Sequence, residues 1–518
     1  MRRARHPIVL AAAGLALCSA CSGRARAPAG AGRRLAEGQV QVLRPSPDGS
    51  RLAWLDRCAR PPLPQLPQGV LSCDLLVAGT DGGPAVRVAE GVSSLDLGFA
   101  WGQEGTLAAL ADYDYASGAG TLVRARPGQA PERLAPGVTF YGFGPGGILG
   151  YVARGDLHLA PPGGAAAAVA GGSGIATFDF DPADPSRLLA RRQSGAGGEL
   201  VRVSDGVARV ESRSAAGDYA WSPDGRFAAA TVRGADGAWD LELWRAGAAL
   251  PPAALGHNVQ GFAFARDGSA LAFVAGMAPG RPGDLYVASL AALDEPGRIR
   301  PAVVAKGVGE FRWASAAPRL AWLESFDPRV RAGALAVGGG GAPAAVVGKN
   351  VTAFELAPAA AQVAFLEHVT LGGYSVDLML SPAGASAPGT VARGVFGFDF
   401  SPDGRWLYYR TACVRNAEAC DLYRVPASGL AAGESPQRVA EGVKSFEFDR
   451  FRPDRVLLGF ARKDMPALDL AVADGLHLTS IDQAVLPGSA RFLPPDGSRI
   501  AYAVVAPARA GLYLARLP

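Results

Sequence analysis

The chain has 518 residues, of which 68 are glycine and 40 are proline, and 49% of its residues are hydrophobic. This hydrophobic share excludes a disordered low-complexity polymer and allows a large buried core, so the glycines and prolines indicate a fold with many turns. The formal net charge is only +4. We therefore expect no nucleic-acid partner, because binding to nucleic acid needs a basic excess clustered on one face.

Residues 1–20 have the pattern of an export signal. Arg2, Arg3 and Arg5 precede an apolar run over residues 8–17, which is too short to span a bilayer but suits a signal segment. Removal of this segment takes away those three arginines and no acidic residue, so the net charge of the remainder falls from +4 to +1.

The segment CSACS at residues 18–22 resembles a bacterial lipobox, although Cys18 stands where leucine is usual. The resemblance implies that Cys21 is lipidated and begins the mature protein, and that Ser22 directs it to the outer membrane, on the periplasmic side or at the cell surface. Simple cleaved secretion is the alternative. Residues 21–32 are then expected to form a flexible tether.

Residues 33–518 contain a repeated unit in which an alternating run leads into a Pro-Asp-Gly-type turn and then a second apolar run. Alternation at period two predicts half-buried strands, and Asp-Gly between two such runs predicts a tight hairpin. The clear copies carry the turn aspartates Asp48, Asp224, Asp267, Asp403 and Asp496, to which we assign a structural role. Degenerate copies begin at Val92, Val138, Ile175, Val308, Val351 and Val443.

Each unit continues with a third strand, such as CDLLVAG, and a fourth, such as RVAEGV. Four antiparallel strands in about 44 residues make one propeller blade. These motifs resemble the TolB-like, WD-repeat-like propeller family, whose mark is the SPDG hairpin followed by an apolar strand. The resemblance covers residues 33–518 and implies an all-β propeller; an array of unrelated β-sandwiches is the alternative.

The units number about eleven, which exceeds the four to eight blades usual in one ring. The count therefore favours two joined rings, whose boundary the sequence does not place, with one large ring as the alternative. The segment RRLAEGQV, which begins at Arg33, matches the fourth-strand pattern, whereas the terminal GLYLARLP matches a third strand. We expect the N-terminal segment to supply the missing fourth strand of the last blade, which removes two exposed strand edges.

Four further cysteines occupy matched places in two distant units. Cys58 and Cys413 close second strands, and Cys73 and Cys420 open third strands. Metal ligands should converge on one point, so this repetition favours the disulfides Cys58–Cys73 and Cys413–Cys420 in an exported protein.

No residue pattern indicates catalysis, and we expect no catalytic residue, metal site or cofactor. The four mature histidines, at positions 158, 257, 368 and 477, lie in non-equivalent places of the repeat. The acidic groups Asp112–Asp114 and Asp179–Asp184 are expected to cap turns, with a cation site as the alternative. Tryptophans near the turns are expected to pack between blades: Trp54, Trp101, Trp221, Trp313, Trp322 and Trp406.

The sequence favours a non-catalytic scaffold, lipid-anchored in the cell envelope, that binds a protein or peptide partner on a propeller face or in the channel. An enzyme of the lyase or lactonase type is one alternative, which would need histidine and acidic residues clustered at the ends of inner strands. A sensor that binds a carbohydrate or small ligand is the other, for which aromatic residues exposed on one face would be the sign.

Overall fold

The structure is a computed structural model of the chain. It describes residues 32–517 except for short segments at 64, 68, 96–97, 195–196, 213–215, 247–251, 279, 291–298, 340–341, 360, 368–375, 383–386, 415–418 and 431–433. Cys21 and the expected signal and lipobox lie outside the described residues. The described chain is built from antiparallel strands that group into eleven four-stranded blades, which confirms the all-β propeller.

In the first six blades each strand pairs with the next one along the chain. Blades 2 and 3 share the long strand β9. Blade 1 comprises β2 (Gln41–Pro45), β3 (Arg51–Ala59), β4 (Ser72–Gly79) and β5 (Val86–Ser93); blades 2 and 3 comprise β6 (Phe99–Trp101), β7 (Leu107–Asp114), β8 (Ala119–Ala125), β9 (Glu132–Phe143), β10 (Leu149–Ala153), β11 (Asp156–Ala160) and β12 (Ala167–Ala168); blade 4 comprises β13 (Ile175–Phe180), β14 (Arg187–Ser194), β15 (Gly197–Ser204) and β16 (Val207–Ser212); blade 5 comprises β17 (Ala216–Trp221), β18 (Phe227–Arg233), β19 (Trp239–Arg245) and β20 (Ala253–Gly256); blade 6 comprises β21 (Gly261–Phe264), β22 (Ala270–Ala275), β23 (Gly283–Ser289) and β24 (Ala302–Val308).

The last five blades repeat this plan, with β28 shared by blades 7 and 8 and β35 shared by blades 9 and 10. Blades 7 and 8 comprise β25 (Glu310–Trp313), β26 (Arg319–Asp327), β27 (Ala332–Gly339), β28 (Ala342–Leu356), β29 (Gln362–Glu367), β30 (Asp377–Pro382) and β31 (Gly389–Ala392); blades 9 and 10 comprise β32 (Gly397–Phe400), β33 (Trp406–Val414), β34 (Ala419–Pro426), β35 (Gln437–Phe448), β36 (Arg455–Ala461), β37 (Leu468–Asp474) and β38 (His477–Val485); blade 11 comprises β39 (Arg491–Phe492), β40 (Arg499–Val504), β41 (Gly511–Arg516) and β1 (Arg33–Glu37).

Blade 11 is completed by the N-terminal strand, as the matching sequence patterns predict. Strand β1 runs antiparallel to β41, with Arg33 opposite Leu514 and Glu37 opposite Gly511. The Arg33 guanidinium also reaches blade 1, where it donates to the carbonyl oxygens of Asp81 and Thr80 at 2.7 and 2.9 Å. The pairing leaves β1, a short strand with arginines, at the outer edge of the sheet.

Packing between blades shows which of the two ring arrangements is present. Each of the eleven buried apolar clusters of the described residues lies between two consecutive blades, or between blade 11 and blade 1. In the closing cluster Leu52 and Trp54 of blade 1 pack against Leu493, Ala501 and other residues of blade 11. Apart from this closing cluster, no cluster of the described residues joins blades that are not consecutive, as the closure of two separate rings would require. The blades therefore form one large ring instead of the two joined rings that the count favoured.

Both expected disulfides are confirmed. Cys58–Cys73 and Cys413–Cys420 each join the second and third strands of a blade, across 15 and 7 positions of sequence. In blades 2 and 7 the same hairpin position is occupied by an aromatic residue opposite a glycine, Tyr113 with Gly120 in blade 2. The disulfide and the aromatic–glycine pair are therefore two solutions for the same strand ends.

Helical structure in the described residues is limited to single 3-10 turns at Pro145–Gly147 and Pro507–Arg509. Neither turn has the length or the apolar character needed to cross a membrane.

Candidate functional site

The first strand of every blade lies at the inner side of the ring. First strands of three successive blades line common cavities, one with Arg312, Glu355 and Phe400 among its residues and another with Thr177, Tyr219 and Phe262. Fourth strands are instead exposed, as Val86 in β5 and Val303 in β24 show with 55% and 52% exposure. The side chains of the first strands thus form the inner wall of the propeller.

One position of this wall can be compared across all blades by strand register. It is the second-to-last residue of the first strand's pairing with the second strand, as Asp399, opposite Tyr408, comes directly before the last pair Phe400–Leu407. In blade order the position is held by Arg44, Ala100, Gly142, Asp179, Ala220, Ala263, Arg312, Glu355, Asp399, Glu447 and Arg491.

The wall is charged on one side. Six successive blades, from blade 7 through blade 11 to blade 1, hold charged residues at this position, and we call them the charged arc: Arg312, Glu355, Asp399, Glu447, Arg491 and Arg44. The other five blades hold small residues apart from Asp179, and we call them the small-residue arc.

A pair of carboxyl groups occupies the middle of the charged arc. Glu355 of blade 8 and Asp399 of blade 9 share a hydrogen bond between their half-buried carboxyl groups. Burial, together with the neighbouring Asp399 charge, raises the pKa of Glu355 to about 7, while Arg312 acts in the opposite direction. Burial also raises the pKa of Asp399, and the hydrogen bond with Glu355 opposes that change. Glu355 is therefore the member that retains its proton.

Arginines flank this carboxyl pair. Arg312 is held by Glu310 at 2.8 Å and lies over the ring of Phe354, with its guanidinium carbon 5.5 Å from the ring centre. On the other side Arg491 approaches Glu447 at 3.6 Å. The charged arc thus presents an acidic centre between two basic ends.

A cavity of about 300 Å³ opens beside the carboxyl pair and is lined by Arg312, Glu355, Pro358 and Ser401, among others. A protonated carboxyl donating to a carboxylate can hold and release a proton near neutral pH, which is the property required of a general acid or base. Across the described residues, no group of three or more His, Cys, Asp or Glu side chains has a metal-binding arrangement.

Tryptophan side chains join neighbouring blades within the small-residue arc and at its two borders with the charged arc. Trp101, Trp221 and Trp313 each donate the indole N–H to a wall-position carbonyl of the preceding blade at 3.0 to 3.2 Å. Their acceptors are the backbone oxygens of Arg44, Asp179 and Ala263. These tryptophans therefore pack between blades, as expected, and in addition form a hydrogen bond that the repeat pattern does not reveal.

The turn aspartates named from the sequence lie in the hairpins between first and second strands. Asp48 accepts hydrogen bonds from Ser46 Oγ at 2.6 Å and from Ser50 N at 3.1 Å, which hold its pKa down to about 2. The same acceptor role is taken by Asp224, Asp267, Asp403 and Asp496. Because each binds within its own turn, the five do not meet in one site.

The described histidines also lie apart. His158 stacks on Tyr151, with ring centres 5.0 Å apart, and His257 is an exposed side chain beside Asp240 and Asp236 at 2.7 and 3.2 Å. His477 is exposed at the start of β38, and position 368 lies outside the described residues.

The two acidic groups considered as cation sites have partners within the chain. Asp112 pairs with Arg133, and Asp114 caps the turn at Ala116 N, 3.0 Å away. Asp181 and Asp184 both pair with Arg187, at 2.6 and 3.2 Å, whereas Asp179 belongs to the inner wall.

Sequence reasoning missed Glu355, Asp399 and Glu447. Their signal is present in the repeat, because each precedes its hairpin at the same offset, in the segments FELAP, FDFSPDG and FEFDR. Aligning the copies by the strand that follows the turn places these three carboxylates in one column. The hydrogen bond between Glu355 and Asp399 depends on how neighbouring blades converge, which the repeat alone does not specify.

Comparison with known proteins gives distant structural neighbours and no family. No protein-family model and no curated protein matches the chain. Among solved structures, a eukaryotic initiation factor is 12% identical, with 70% of this chain and 93% of that chain covered and a TM-score of 0.41. An oligogalacturonate lyase in complex with manganese is 15% identical over 66% of this chain and 98% of that one, with a TM-score of 0.32. TolB from Acinetobacter baumannii is 16% identical over 49% and 62%, with a TM-score of 0.25. The lyase and TolB have propeller-type folds.

Proposed function

We propose that the protein is a non-catalytic scaffold of the cell envelope that binds a protein or peptide partner along the charged arc. The observation that carries the proposal is the wall position itself, where six successive blades present charged side chains toward the inner side of the ring. Alternating groups of basic and acidic side chains fix the register and direction of a complementary partner through charge pairing. A basic segment of the partner would face the acidic centre at Glu355, Asp399 and Glu447.

Cross-linking in envelope fractions, with mass spectrometry of the captured proteins, tests this proposal. The variant Glu355→Gln/Asp399→Asn/Glu447→Gln removes the acidic centre while it keeps side-chain size. The matched control Glu37→Gln/Glu90→Gln changes two exposed carboxylates, 83% and 58% accessible, on outer strands. We expect wild type and control to capture the same partner and the wall variant to lose it; equal capture by all three would refute binding at the charged arc.

Anchoring through Cys21 and export to the outer membrane belong to the same proposal. The two disulfides support an oxidising compartment. Cys21→Ala should move the protein from the membrane fraction to the soluble fraction and abolish metabolic labelling with a fatty acid. Membership of the TolB-like family is likewise proposed, on the strength of the SPDG hairpins.

The carboxyl pair favours a second candidate, an enzyme of the lyase or lactonase type. Glu355, with its pKa raised to about 7, has the protonation behaviour of a general acid or base, and the adjoining cavity could admit part of a substrate. Assays on uronate polysaccharides and lactones test this candidate. Turnover by wild type that Glu355→Gln abolishes, with folding unchanged, would replace the scaffold by the enzyme.

A further inference from the structure

A second cavity lies away from the inner wall, between blades 9 and 10 and beside the Cys413–Cys420 hairpin. It has a volume of about 580 Å³, within the range of small-ligand sites. Its apolar lining includes Val414, Phe460 and Leu478, and its charged lining includes Asp421.

The cavity exists because blade 10 does not reach back to blade 9 as closely as blade 2 reaches back to blade 1. The fourth strands of blades 1 and 9 each contain a glycine with positive φ, Gly91 and Gly442, and a Cβ built on Gly91 would lie 3.1 Å from Asp112 Cα of blade 2. A Cβ on the equivalent Gly442 of blade 9 meets only Ala419 of its own blade, at 4.0 Å, among described atoms.

The physical cause is the hairpin of the following blade. In blade 2 the pairing of β7 with β8 shifts register between Ala111 and Asp114, and this bulge pushes Asp112 toward Gly91. In blade 10 strands β36 and β37 pair without a register shift. In addition, Tyr115 of blade 2 donates to the Leu71 carbonyl of blade 1 at 2.7 Å and bridges that interface.

Blades 1 and 9 are otherwise close copies, but Asp421 of blade 9 differs from its counterpart in blade 1 in its ion pairs. Its counterpart Asp74 is paired with Arg57 at 2.8 Å and approached by Arg87 at 3.7 Å. In blade 9 the residue in the place of Arg57 is Ala412. Asp421 consequently has no ion pair or side-chain hydrogen bond with any described residue.

The neighbouring charges are already engaged. Arg438, the counterpart of Arg87, pairs with Glu441 at 2.5 Å, and Asp469 pairs with Arg462 at 2.8 Å. The described lining therefore combines an apolar surface with one half-buried carboxylate, Asp421, that pairs with no cation among the described residues. A half-buried carboxylate gains most from a charged hydrogen-bond donor.

We infer that this cavity binds an alkylammonium group carried on an apolar stem, with Asp421 accepting the hydrogen bonds of the ammonium. The stem packs against Val414, Phe460 and Leu478, while the ammonium takes the place that the Arg57 guanidinium fills in blade 1. A lysine side chain of a polypeptide and a free aliphatic amine share this chemistry. The site is separate from the charged arc and does not depend on the function proposed there.

Isothermal titration of the full-length protein with n-hexylamine and with 1-hexanol tests the charge requirement. We expect the amine to bind at least about tenfold more tightly than the alcohol, because a hydrogen bond to an ionised group is worth that much in affinity. A third probe, the peptide acetyl-Ala-Lys-Ala-amide, distinguishes the sources: tighter binding than hexylamine assigns the site to a polypeptide, and weaker binding assigns it to a free amine.

Two variants and a control complete the experiment. Asp421→Asn should weaken hexylamine binding about tenfold or more, and Ala412→Arg should abolish it by supplying the guanidinium that blade 1 has. Ala412 has φ +50°, close to the +48° of Arg57, so the substitution suits the backbone. Asp74→Asn in blade 1 should leave binding unchanged. Equal affinity for hexylamine and hexanol, or wild-type binding by both cavity variants, would overturn the inference.

Discussion

The two arcs of the inner wall are built from the same repeat but are held together differently. One tryptophan bond lies within the small-residue arc and one lies at each of its borders: Trp221, Trp101 and Trp313 each donate to the backbone of the preceding blade. Between two blades of the charged arc no such tryptophan bond occurs among the described residues, and both disulfides lie in blades of this arc. The difference teaches that tryptophan hydrogen bonds join blades on one side of the wall, whereas the other side concentrates charged side chains that engage one another, as Glu355 and Asp399 do.

The largest effect is expected where a tryptophan bond is removed. Trp221 is only 7% exposed and packs with Leu189, Leu200 and Ala228 between blades 4 and 5. Trp221→Ala should lower the free energy of unfolding by about 3–5 kcal/mol, because it creates a cavity and leaves the Asp179 carbonyl without its donor. Urea denaturation measures this. A loss below about 1 kcal/mol would remove the distinction between the arcs.

The disulfides are expected to rank next. Loss of Cys58–Cys73 by paired substitution to alanine should cost about 3 kcal/mol, and loss of Cys413–Cys420 about 2 kcal/mol, since the first closes the longer loop. Denaturation of each double variant under non-reducing conditions measures the two costs. The reverse order would show that native contacts of the hairpins, and not loop length, decide their contribution.

A pH dependence is expected from the carboxyl pair. The folded protein holds the Glu355 proton up to about pH 7, whereas the ordinary glutamate pKa is 4.5, so the folded state binds more protons between these values. Its contribution to stability is therefore full below pH 4.5 and is lost as the pH rises through 7. Glu355→Gln should flatten that decline in urea titrations at pH 5, 6 and 7.5. An unchanged slope would mean that Glu355 titrates normally.

The smallest effect on stability is expected from Glu447→Gln. Its carboxylate is 56% exposed and lies 3.6 Å from Arg491, so its removal should change the free energy of unfolding by less than about 1 kcal/mol. Partner capture in envelope fractions should nevertheless fall. A stability loss as large as that of Trp221→Ala would contradict the conclusion that the tryptophan bonds, and not the charged wall residues, stabilise the fold.

The repeat predicts much of the fold and little of the site. The turn Asp-Gly pairs, the matched CDL segments and the likeness of RRLAEG to RVAEGV are local signals, and they are sufficient for the blades, the disulfides and the pairing of β1 with β41. The number of rings has no local signal in the sequence, because it depends on which blades pack together. Leu52 of blade 1 and Leu493 of blade 11 show this, since they pack together from opposite ends of the chain. The carboxyl pair is equally non-local, since Glu355 and Asp399 come from different blades.

The pairing of β1 with β41 also decides how the ring can open. Consecutive blades are connected by the chain itself, so parting any two of them leaves a covalent link in place. The ring closes where the two ends of the described chain meet in blade 11. There strand Arg33–Glu37 pairs with the last strand, Gly511–Arg516, through hydrogen bonds and not through a covalent link. Opening there requires peeling a strand from a hydrogen-bonded ladder as well as separating the packed faces of blades 11 and 1. Every interface between neighbouring blades is therefore secured by the backbone as well as by packed side chains. Between consecutive blades the backbone link is covalent, and at the ring closure it includes the hydrogen bonds of β1 with β41.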